Sequence, residues 1–222
     1  MTPAAAACFE PHPVPLRCWT SVALGYSLLE RDPAFPRIPE QARHALVEAA
    51  LAEGRAQADC IKRDFGRDPL AIAERLHVAV SESHEDAGFG TVVVFAEYAT
   101  RPPRITLYRP AIARLTRLLD VLALRALLNA RSCEQVFLAH ELYHHVARIG
   151  PQPPLSGRHR VPLLRFGRWV WSRGIASLEE IAAGAFAQGL LGLGVHPRLL
   201  DLLWLRQPAS WSTVRPGVEI SA

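Results

Sequence analysis

The segment His140-Glu141-x-x-His144 constrains this chain more than any other feature of its sequence. On an α-helix, residues four apart lie on one face, so the imidazoles of His140 and His144 can reach the same ion. Zinc binds imidazole nitrogens at about 2.0–2.1 Å and needs such a fixed pair. Glu141 lies about 100° further round the helix, where it can take a proton from a water molecule that the ion has made more acidic. The segment therefore predicts a zinc site with a general base beside it.

The residues around this segment favour a helix that is buried along one side. On a helical wheel, the apolar residues form one broad arc: Val136, Leu138, Ala139, Leu142, Tyr143, Val146 and Ala147. Such an arc is typical of a helix packed against a core, and His140, Glu141 and His144 fall on the neighbouring arc. We therefore expect these three side chains at the border of the core. The alternative is that both histidines are ordinary surface or core residues with no ion between them.

Length and composition agree with one globular domain that carries extensions. The chain has 222 residues, half of them apolar and 21% charged, with a formal charge of +4 and a pI near 9.2. This length is enough for a substantial core. The mild positive charge permits an acidic partner, but no dense basic run with interleaved aromatic residues indicates a nucleic-acid partner.

The cysteines and the apolar stretches favour a soluble protein of the cytoplasm. The four cysteines form no C-x-x-C pair, so reduced thiols are expected at Cys8, Cys18, Cys60 and Cys133. The N-terminus lacks the basic and apolar regions of a signal peptide. No apolar stretch reaches the roughly 20 residues that a membrane span needs, so we expect no membrane partner.

Periodicity predicts an α+β fold that is mostly helical. We expect a proline-rich arm over residues 1–39, one domain over residues 40–205 and a C-terminal tail over residues 206–222. Helical spacing predicts four helices before the one with the two histidines, at residues 19–30, 40–63, 69–76 and 111–129. Turn residues separate three strand-like runs, from which we expect a small antiparallel meander: residues 77–81, 90–98 and 104–108.

Residues 150–173 differ from the rest of the domain because they combine prolines, arginines and tryptophans. We expect a basic, aromatic loop here, inserted before the next helix. Its place beside the histidines suggests a lid or a substrate contact. The alternative is a surface loop whose tryptophans pack on the core while its arginines reach into solvent.

A third protein ligand for the ion is expected from the helix that begins near Ser177. Glu180 shares a helical stripe with Ala183 and Gly184, small residues that would let this helix approach the histidines closely. We therefore expect Glu180 to be the ligand, with Glu179 as the alternative. A competing role for Glu180 is a capping box, in which its carboxylate accepts a hydrogen bond from the Ser177 amide.

With these segments in view, the sequence resembles the ImmA/IrrE family of gluzincin-type metallopeptidases over residues 69–193. Four segments carry the resemblance in this order: DPLAIAERLHVAV, RITLYRP, FLAHELYHHV and EEIAAGAFAQGLLGL. The resemblance implies a minimal zincin-like metallopeptidase domain in which His140, His144 and Glu180 hold Zn²⁺ and Glu141 is the catalytic base. The family often has a second acidic residue and an asparagine in the last segment, where this chain has Ala182 and Gly184.

The resemblance also implies a function, that of a zinc-dependent endopeptidase with a protein substrate. Family members cleave helix-turn-helix repressors in mobile-element or stress regulation, which makes such a repressor the implied substrate. The substrate could pair with an exposed sheet edge at residues 104–108, and four residues are candidates to stabilise the oxyanion: Tyr108, Tyr143, His145 and Arg173. The alternative function is a zinc-containing interaction module that binds a regulator or toxin partner without cutting it.

Overall fold

A computed structural model describes residues 19–89 and 92–205, and it confirms the α+β class. The described residues form eight α-helices: α1 (Ser21–Leu29), α2 (Glu40–Phe65), α3 (Pro69–Arg75), α4 (Arg109–Val121), α5 (Cys133–Ile149), α6 (Leu155–Arg158), α7 (Ser177–Leu191) and α8 (Arg198–Leu205). They also form seven strands: β1 (Ala79–Ser83), β2 (Gly88–Phe89), β3 (Val92–Val93), β4 (Ala96–Thr100), β5 (Pro103–Tyr108), β6 (Arg160–Phe166) and β7 (Trp169–Gly174). The predicted tail at 206–222 and residues 1–18 of the predicted arm, including Cys8 and Cys18, lie outside the described residues.

The longest helix, α2, packs along α7, and this pair forms one side of the core. Its alanine- and leucine-rich sequence favours a helix, which ends where Gly66 turns the chain with φ 89°. α2 buries one stripe of residues: Val47, Ala50, Leu51, Gly54, Ala58 and Ile61. A Cβ at Gly54 would collide with the carbonyl oxygen of Ala182, so the two helices meet here backbone to backbone.

The helix with the two histidines, α5, begins with a capping box and packs as its sequence predicts. Ser132 and Gln135 form a capping box, with the Gln135 N–H donating to Ser132 Oγ at 3.3 Å and the Ser132 N–H donating to Gln135 Oε1 at 3.2 Å. Six members of the predicted apolar arc are buried: Val136, Leu138, Ala139, Leu142, Tyr143 and Val146. His140, Glu141 and His144 are partly buried, which confirms their place at the border of the core.

The three-stranded sheet is mixed, so the predicted antiparallel meander is wrong. Its order is β1-β5-β4, in which β4 pairs antiparallel with β5 and β1 pairs parallel with the other side of β5. The short turn at Arg101 and Pro102 joins β4 and β5 as a hairpin. The longer segment between β1 and β4 lets the chain pass across β5, as a parallel neighbour requires. β4 therefore lies at an edge of this sheet, whereas the strand predicted as an exposed edge at 104–108 is central.

Two predicted elements are interrupted in the structure. The strand predicted at 90–98 is divided into β3 and β4, because Phe95 leaves the ladder and stacks on Phe137 with ring centroids 4.6 Å apart. Residues 90 and 91 lie outside the described ranges. The helix predicted at 111–129 ends at Val121, and a separate 3-10 helix follows at Arg125–Leu128 because Ala123 between them has a positive φ of 54°.

The segment predicted as a loop at 150–173 is largely regular, so that prediction is wrong. It contains α6 and the antiparallel pair β6–β7, which turns at Gly167 and Arg168. Gly167 has φ 57°, a conformation that two-residue hairpin turns need and that glycine adopts without strain. The tryptophans of the pair are exposed, so the alternative in which they pack on the core is also wrong.

The described part of the predicted arm adds to the core. The helix predicted at 19–30 is confirmed as α1, and its residues Leu24 and Leu29 are buried. Asp32, which follows α1, is buried as well. No helix within residues 19–89 and 92–205 is both long enough and apolar enough to cross a membrane.

Candidate metal centre

Two imidazoles from α5 and one carboxylate from α7 meet at the border of the core. His140 Nε2 lies 3.1 Å from Glu180 Oε2, and His144 Nε2 lies 3.5 Å from Glu180 Oε1. The three ligand-type atoms all lie within 4.8 Å of one another, and we call these three residues the metal triad. The imidazole side chains are 21% and 20% exposed, whereas that of Glu180 is 50% exposed, so the metal triad is open to solvent at its carboxylate.

The donor atoms and the spacing of the metal triad fit a zinc ion. Zinc takes imidazole nitrogens and carboxylate oxygens at about 2.0–2.2 Å, and a catalytic site has three such protein ligands. A tetrahedron with arms of this length has edges of about 3.3 Å. The separations of 3.1 and 3.5 Å between Glu180 and the two imidazoles lie on either side of that value. The metal triad is thus a group that could hold a metal ion.

His140 and Glu180 form a charge pair within the metal triad. Burial alone would lower the pKa of His140, but the hydrogen bond to Glu180 and the charge of that carboxylate raise it to about 9. Burial alone would raise the pKa of Glu180, yet the hydrogen bond from His140 and the charge of that imidazole lower it to about 2. Burial and the charge of His140 lower the pKa of His144, so this imidazole keeps a free lone pair at neutral pH. A cation held by the metal triad would therefore take the place of the proton on His140.

Glu141 lies beside the metal triad and lines a cleft next to it. Burial raises the pKa of its carboxyl, the charge of His140 lowers it, and the charge of Glu180 raises it again, with a net upward shift. The Tyr98 backbone in β4 opposes this upward shift of the Glu141 pKa, because it favours the charged carboxylate. A carboxylate whose pKa is raised by burial is a stronger base than an exposed one, which suits the role predicted for Glu141.

Glu179, the alternative third ligand, forms hydrogen bonds elsewhere. Its Oε1 accepts from the Ser156 backbone N–H at 3.3 Å and also from the Ser156 hydroxyl. These bonds tie the start of α7 to α6. Glu180 is therefore the glutamate that the structure brings together with the two imidazoles.

Asp32, and not Glu180, accepts the hydrogen bond from the Ser177 amide at the start of α7. α7 begins at Ser177, and the N–H of Ser177 donates to Asp32 Oδ2 at 2.8 Å. The other oxygen of Asp32 accepts from the Ala34 N–H, also at 2.8 Å. A carboxylate at a helix N-terminus satisfies an orphan N–H and interacts favourably with the helix dipole. Because Asp32 binds this amide, the capping-box interpretation is wrong and Glu180 can face the histidines.

A cleft of about 430 Å³ opens beside the metal triad. The edge strand β4 and α5 contribute to its walls, together with Pro154 and the start of α7. Its lining residues are Ala96, Glu97, Tyr98, Thr100, Glu141, His144, Ala147, Arg148, Pro154, Glu179 and Glu180. The cleft therefore brings the predicted base and two members of the metal triad next to an unpaired strand edge.

Tyr98 is a site residue that the sequence did not single out. Its hydroxyl lies 2.8 Å from His145 Nδ1, its backbone faces Glu141, and it lines the cleft. His145 is buried, and burial lowers its pKa. Two further candidates for the oxyanion have other contacts, since Tyr108 donates to Glu97 at 3.0 Å and Tyr143 packs against Phe186. The remaining candidate, Arg173, is exposed on β7.

His196 fills the space that Gly184 leaves open on α7. A Cβ at Gly184 would collide with the His196 ring, so Gly184 serves this contact and not a close approach of α7 to α5. The His196 Nε2–H donates to the Ile181 carbonyl oxygen at 3.1 Å, and Nδ1 accepts from the Arg198 N–H at 3.2 Å. Burial lowers the pKa of His196 to about 4, with help from the charges of His140 and Arg198. The ring is therefore neutral, and it braces the helix that carries Glu180.

Comparison with known proteins adds no family to this geometry. Neither a protein-family model nor a curated protein nor a solved structure matches the chain significantly. The chain's own residues define a His-His-Glu group that could hold a metal ion, within an α+β fold.

Proposed function

We propose that this protein is a zinc-dependent endopeptidase with a minimal zincin-like domain, related in its mechanism to the ImmA/IrrE metallopeptidases. One observation carries the proposal: the ligand atoms of His140, His144 and Glu180 converge within 4.8 Å, while Glu141 lines the adjoining cleft. Zinc would be held by these three residues, and it would supply Lewis acidity at this position.

The chain's own residues account for the proton transfers of peptide hydrolysis. Glu141 takes the proton of the attacking water and later delivers it to the leaving amine nitrogen. Burial raises the pKa of this carboxyl, which makes the carboxylate a stronger base than an exposed glutamate.

The edge strand β4 suits the binding of an extended substrate. Four of its five residues line the cleft beside Glu141: Ala96, Glu97, Tyr98 and Thr100. One side of β4 pairs with β5, and within the described sheet its other side has no neighbouring strand. A substrate backbone that adds to this free side would run past Glu141 and His144. We therefore propose β4 as the substrate-binding strand in place of residues 104–108, which lie in the central strand of the sheet.

The substrate class follows from the resemblance alone. We propose a protein substrate, with a helix-turn-helix transcriptional repressor of mobile-element or stress regulation as the first candidate, in the cytoplasm. The second candidate function is a zinc-containing module that binds a regulator or toxin partner without cleaving it. Glu141 favours the first, because a purely structural zinc site has no use for a base next to the ion.

The test is the replacement Glu141→Gln. We expect the variant to bind zinc as the unmodified protein does, because Glu141 lies outside the metal triad. Cleavage of a co-expressed repressor encoded beside this protein should fall by about 10²- to 10⁴-fold, the range that a general base contributes. The measurement is metal content together with the fraction of repressor cleaved.

A matched control is Glu97→Gln, which changes another carboxylate of the same cleft. Glu97 lies on β4 and accepts a hydrogen bond from Tyr108, so its loss should alter cleavage only a few-fold. Equal cleavage by the Glu141→Gln variant and the unmodified protein would remove Glu141 from the mechanism. Zinc binding without cleavage by any form of the protein would favour the interaction module.

A further inference from the structure

The outer half of the β6–β7 hairpin exposes four large apolar side chains. Leu164 is 65% exposed, Phe166 87%, Trp169 71% and Trp171 70%. The pairing register places Leu164 opposite Trp171 and Phe166 opposite Trp169. Residues that lie opposite each other in an antiparallel pair share a face, as do residues two apart along a strand. All four side chains therefore lie on one face of the hairpin, which we call the hairpin face.

The hairpin is rooted in the wall of the cleft. At its base, Val161 is buried and the Arg160 Nε–H donates to Ser172 Oγ at 2.9 Å. The backbone at Gly174 lies so close to Ser156 that a Cβ could not be accommodated. Ser156 in turn bonds to Glu179, which lines the cleft together with Pro154. The root of the hairpin is therefore joined, through Ser156, to a residue that lines the cleft.

The hairpin carries positive charge without any acidic residue. Residues 155–175 contain five arginines and one histidine, and neither aspartate nor glutamate. Arg158 pairs with Glu53 at 3.1 Å near the root, whereas Arg168 lies at the turn over the Trp169 ring and Arg173 is exposed. Charge complementarity therefore favours an acidic partner. Tryptophan and arginine are also the residues that contribute most to binding at protein interfaces.

We propose that the hairpin face docks the substrate protein, through a segment in which acidic side chains flank a cluster of large apolar ones. The apolar cluster would cover the four exposed side chains, and the acidic residues would lie near Arg168 and Arg173. That the docked protein is the substrate rests on the proposed peptidase function. The position of the root favours a protein over a membrane surface, because a chain held there can continue into the cleft along β4.

Binding is measured on the full-length Glu141→Gln protein loaded with zinc, so that hydrolysis cannot remove the probe. The probe is a synthetic peptide in which runs of glutamate flank one Leu-Phe-Leu cluster. Two matched peptides carry lysine runs in place of glutamate, or three serines in place of the cluster. We expect the first peptide to bind, and each of the other two to bind about tenfold more weakly or worse.

The same measurement on hairpin variants locates the contact. The double replacement Phe166→Thr and Trp171→Thr keeps residues that suit a strand, and it should weaken the acidic peptide by about tenfold or more. The matched control is Val170→Thr, because Val170 is exposed on the opposite face of the same hairpin and should leave affinity unchanged. Arg168→Glu with Arg173→Glu should also weaken binding, and added salt should reduce this difference.

Three results would overturn the proposal. The first is that the double variant (Phe166→Thr with Trp171→Thr) binds the acidic peptide as tightly as the Val170→Thr control does. The second is no peptide binding together with co-sedimentation on phosphatidylserine vesicles, which would assign the hairpin face to a membrane. The third is a protein mass that rises with concentration and depends on Trp171, which would assign it to a second copy of the chain. Peptide binding does not require cleavage, so failure of the peptidase proposal would show separately, as zinc-loaded protein that binds the peptide but cuts no repressor.

Discussion

The α5–α7 pair and the β6–β7 hairpin lie next to each other but bury their side chains in opposite ways. In the helix pair, Tyr143 is 1% exposed and Phe186 is fully buried, while the metal triad lies at the border of the core. In the hairpin, Phe166, Trp169 and Trp171 are among the most exposed large apolar residues of the described chain. The bonds of Ser156 to Glu179 are one of the links between α7 and the segment that contacts the hairpin root.

This difference separates residues that stabilise the fold from residues that can bind a partner. Burying a large apolar side chain stabilises a protein by about 1.5–3 kcal/mol. The apolar side chains of the helix pair are buried within the protein, and their burial stabilises the two helices that position the metal triad. The side chains of the hairpin face are exposed, so the free energy of burying them can still stabilise a complex with a partner. Replacements in the two regions should therefore affect stability very differently.

The largest loss of stability is expected from Gly54→Ala. The new Cβ would collide with the Ala182 carbonyl oxygen, so α2 and α7 would have to move apart along their contact. Overpacking of this kind costs about 1–3 kcal/mol, and a backbone obstacle places this case near 3 kcal/mol. Urea unfolding measures the loss. The control is Ala52→Ser on the exposed side of α2, which should stay within about 0.5 kcal/mol, and similar values for both variants would contradict the close contact.

A moderate, pH-dependent loss is expected from His196. Its pKa is about 4 in the folded protein, below the ordinary value of 6.5, so folding favours the neutral ring. The stability that depends on the neutral ring is complete above pH 6.5 and is lost as the pH falls through 6.5 towards 4. We expect His196→Ala to cost about 2 kcal/mol at pH 8 and to flatten this part of the stability profile.

Thermal unfolding between pH 8 and pH 4.5 checks the His196 prediction. The control is His84→Ala, which changes an exposed histidine and should preserve the profile of the unmodified protein. An unchanged slope in the His196→Ala variant would show that the ring is not held neutral. The zinc affinity of the His196→Ala variant provides a second readout. It should fall, because His196 supports α7, the helix that carries Glu180.

The smallest effect on stability is expected from the hairpin face. The double replacement Phe166→Thr and Trp171→Thr removes side chains that make little use of the core, so the free energy of unfolding should change by less than about 0.5 kcal/mol. Urea unfolding beside the Gly54→Ala variant measures the contrast directly. A loss above about 2 kcal/mol would mean that these aromatic rings are packed in solution, and the distinction between the two regions would disappear.

The parts of the site that depend on helical spacing could be predicted from the sequence. The four-residue spacing of His140 and His144 and the apolar arc of α5 are local properties, and both appear in the structure as expected. Whether Glu180 is a ligand or caps its own helix could not be decided from the neighbouring sequence. It depends on Asp32, which lies 145 residues from Ser177 in the sequence and reaches it only in the folded chain.

The sheet and the hairpin show two different limits of prediction. Strand order depends on which side of β5 the chain selects for β1, and this is a property of the whole fold. The hairpin, in contrast, had a local signal. Gly167-Arg168 separates two runs rich in apolar and aromatic residues, which is the spacing of a two-residue hairpin turn, but the density of arginine and proline favoured a loop. The catalytic roles of the site residues depend on an ion and a substrate, and the sequences of the sheet and the hairpin do not identify either.

Metal analysis of the purified full-length protein beside its Glu180→Ala variant tests the metal triad most directly. We predict about one zinc ion per chain in the unmodified protein and in the Glu141→Gln variant, and a large loss of zinc in the Glu180→Ala variant, because a three-ligand site would be reduced to two imidazoles. Protein that takes up no zinc, or zinc bound equally well without the Glu180 carboxylate, would contradict a metal centre made by α5 and α7.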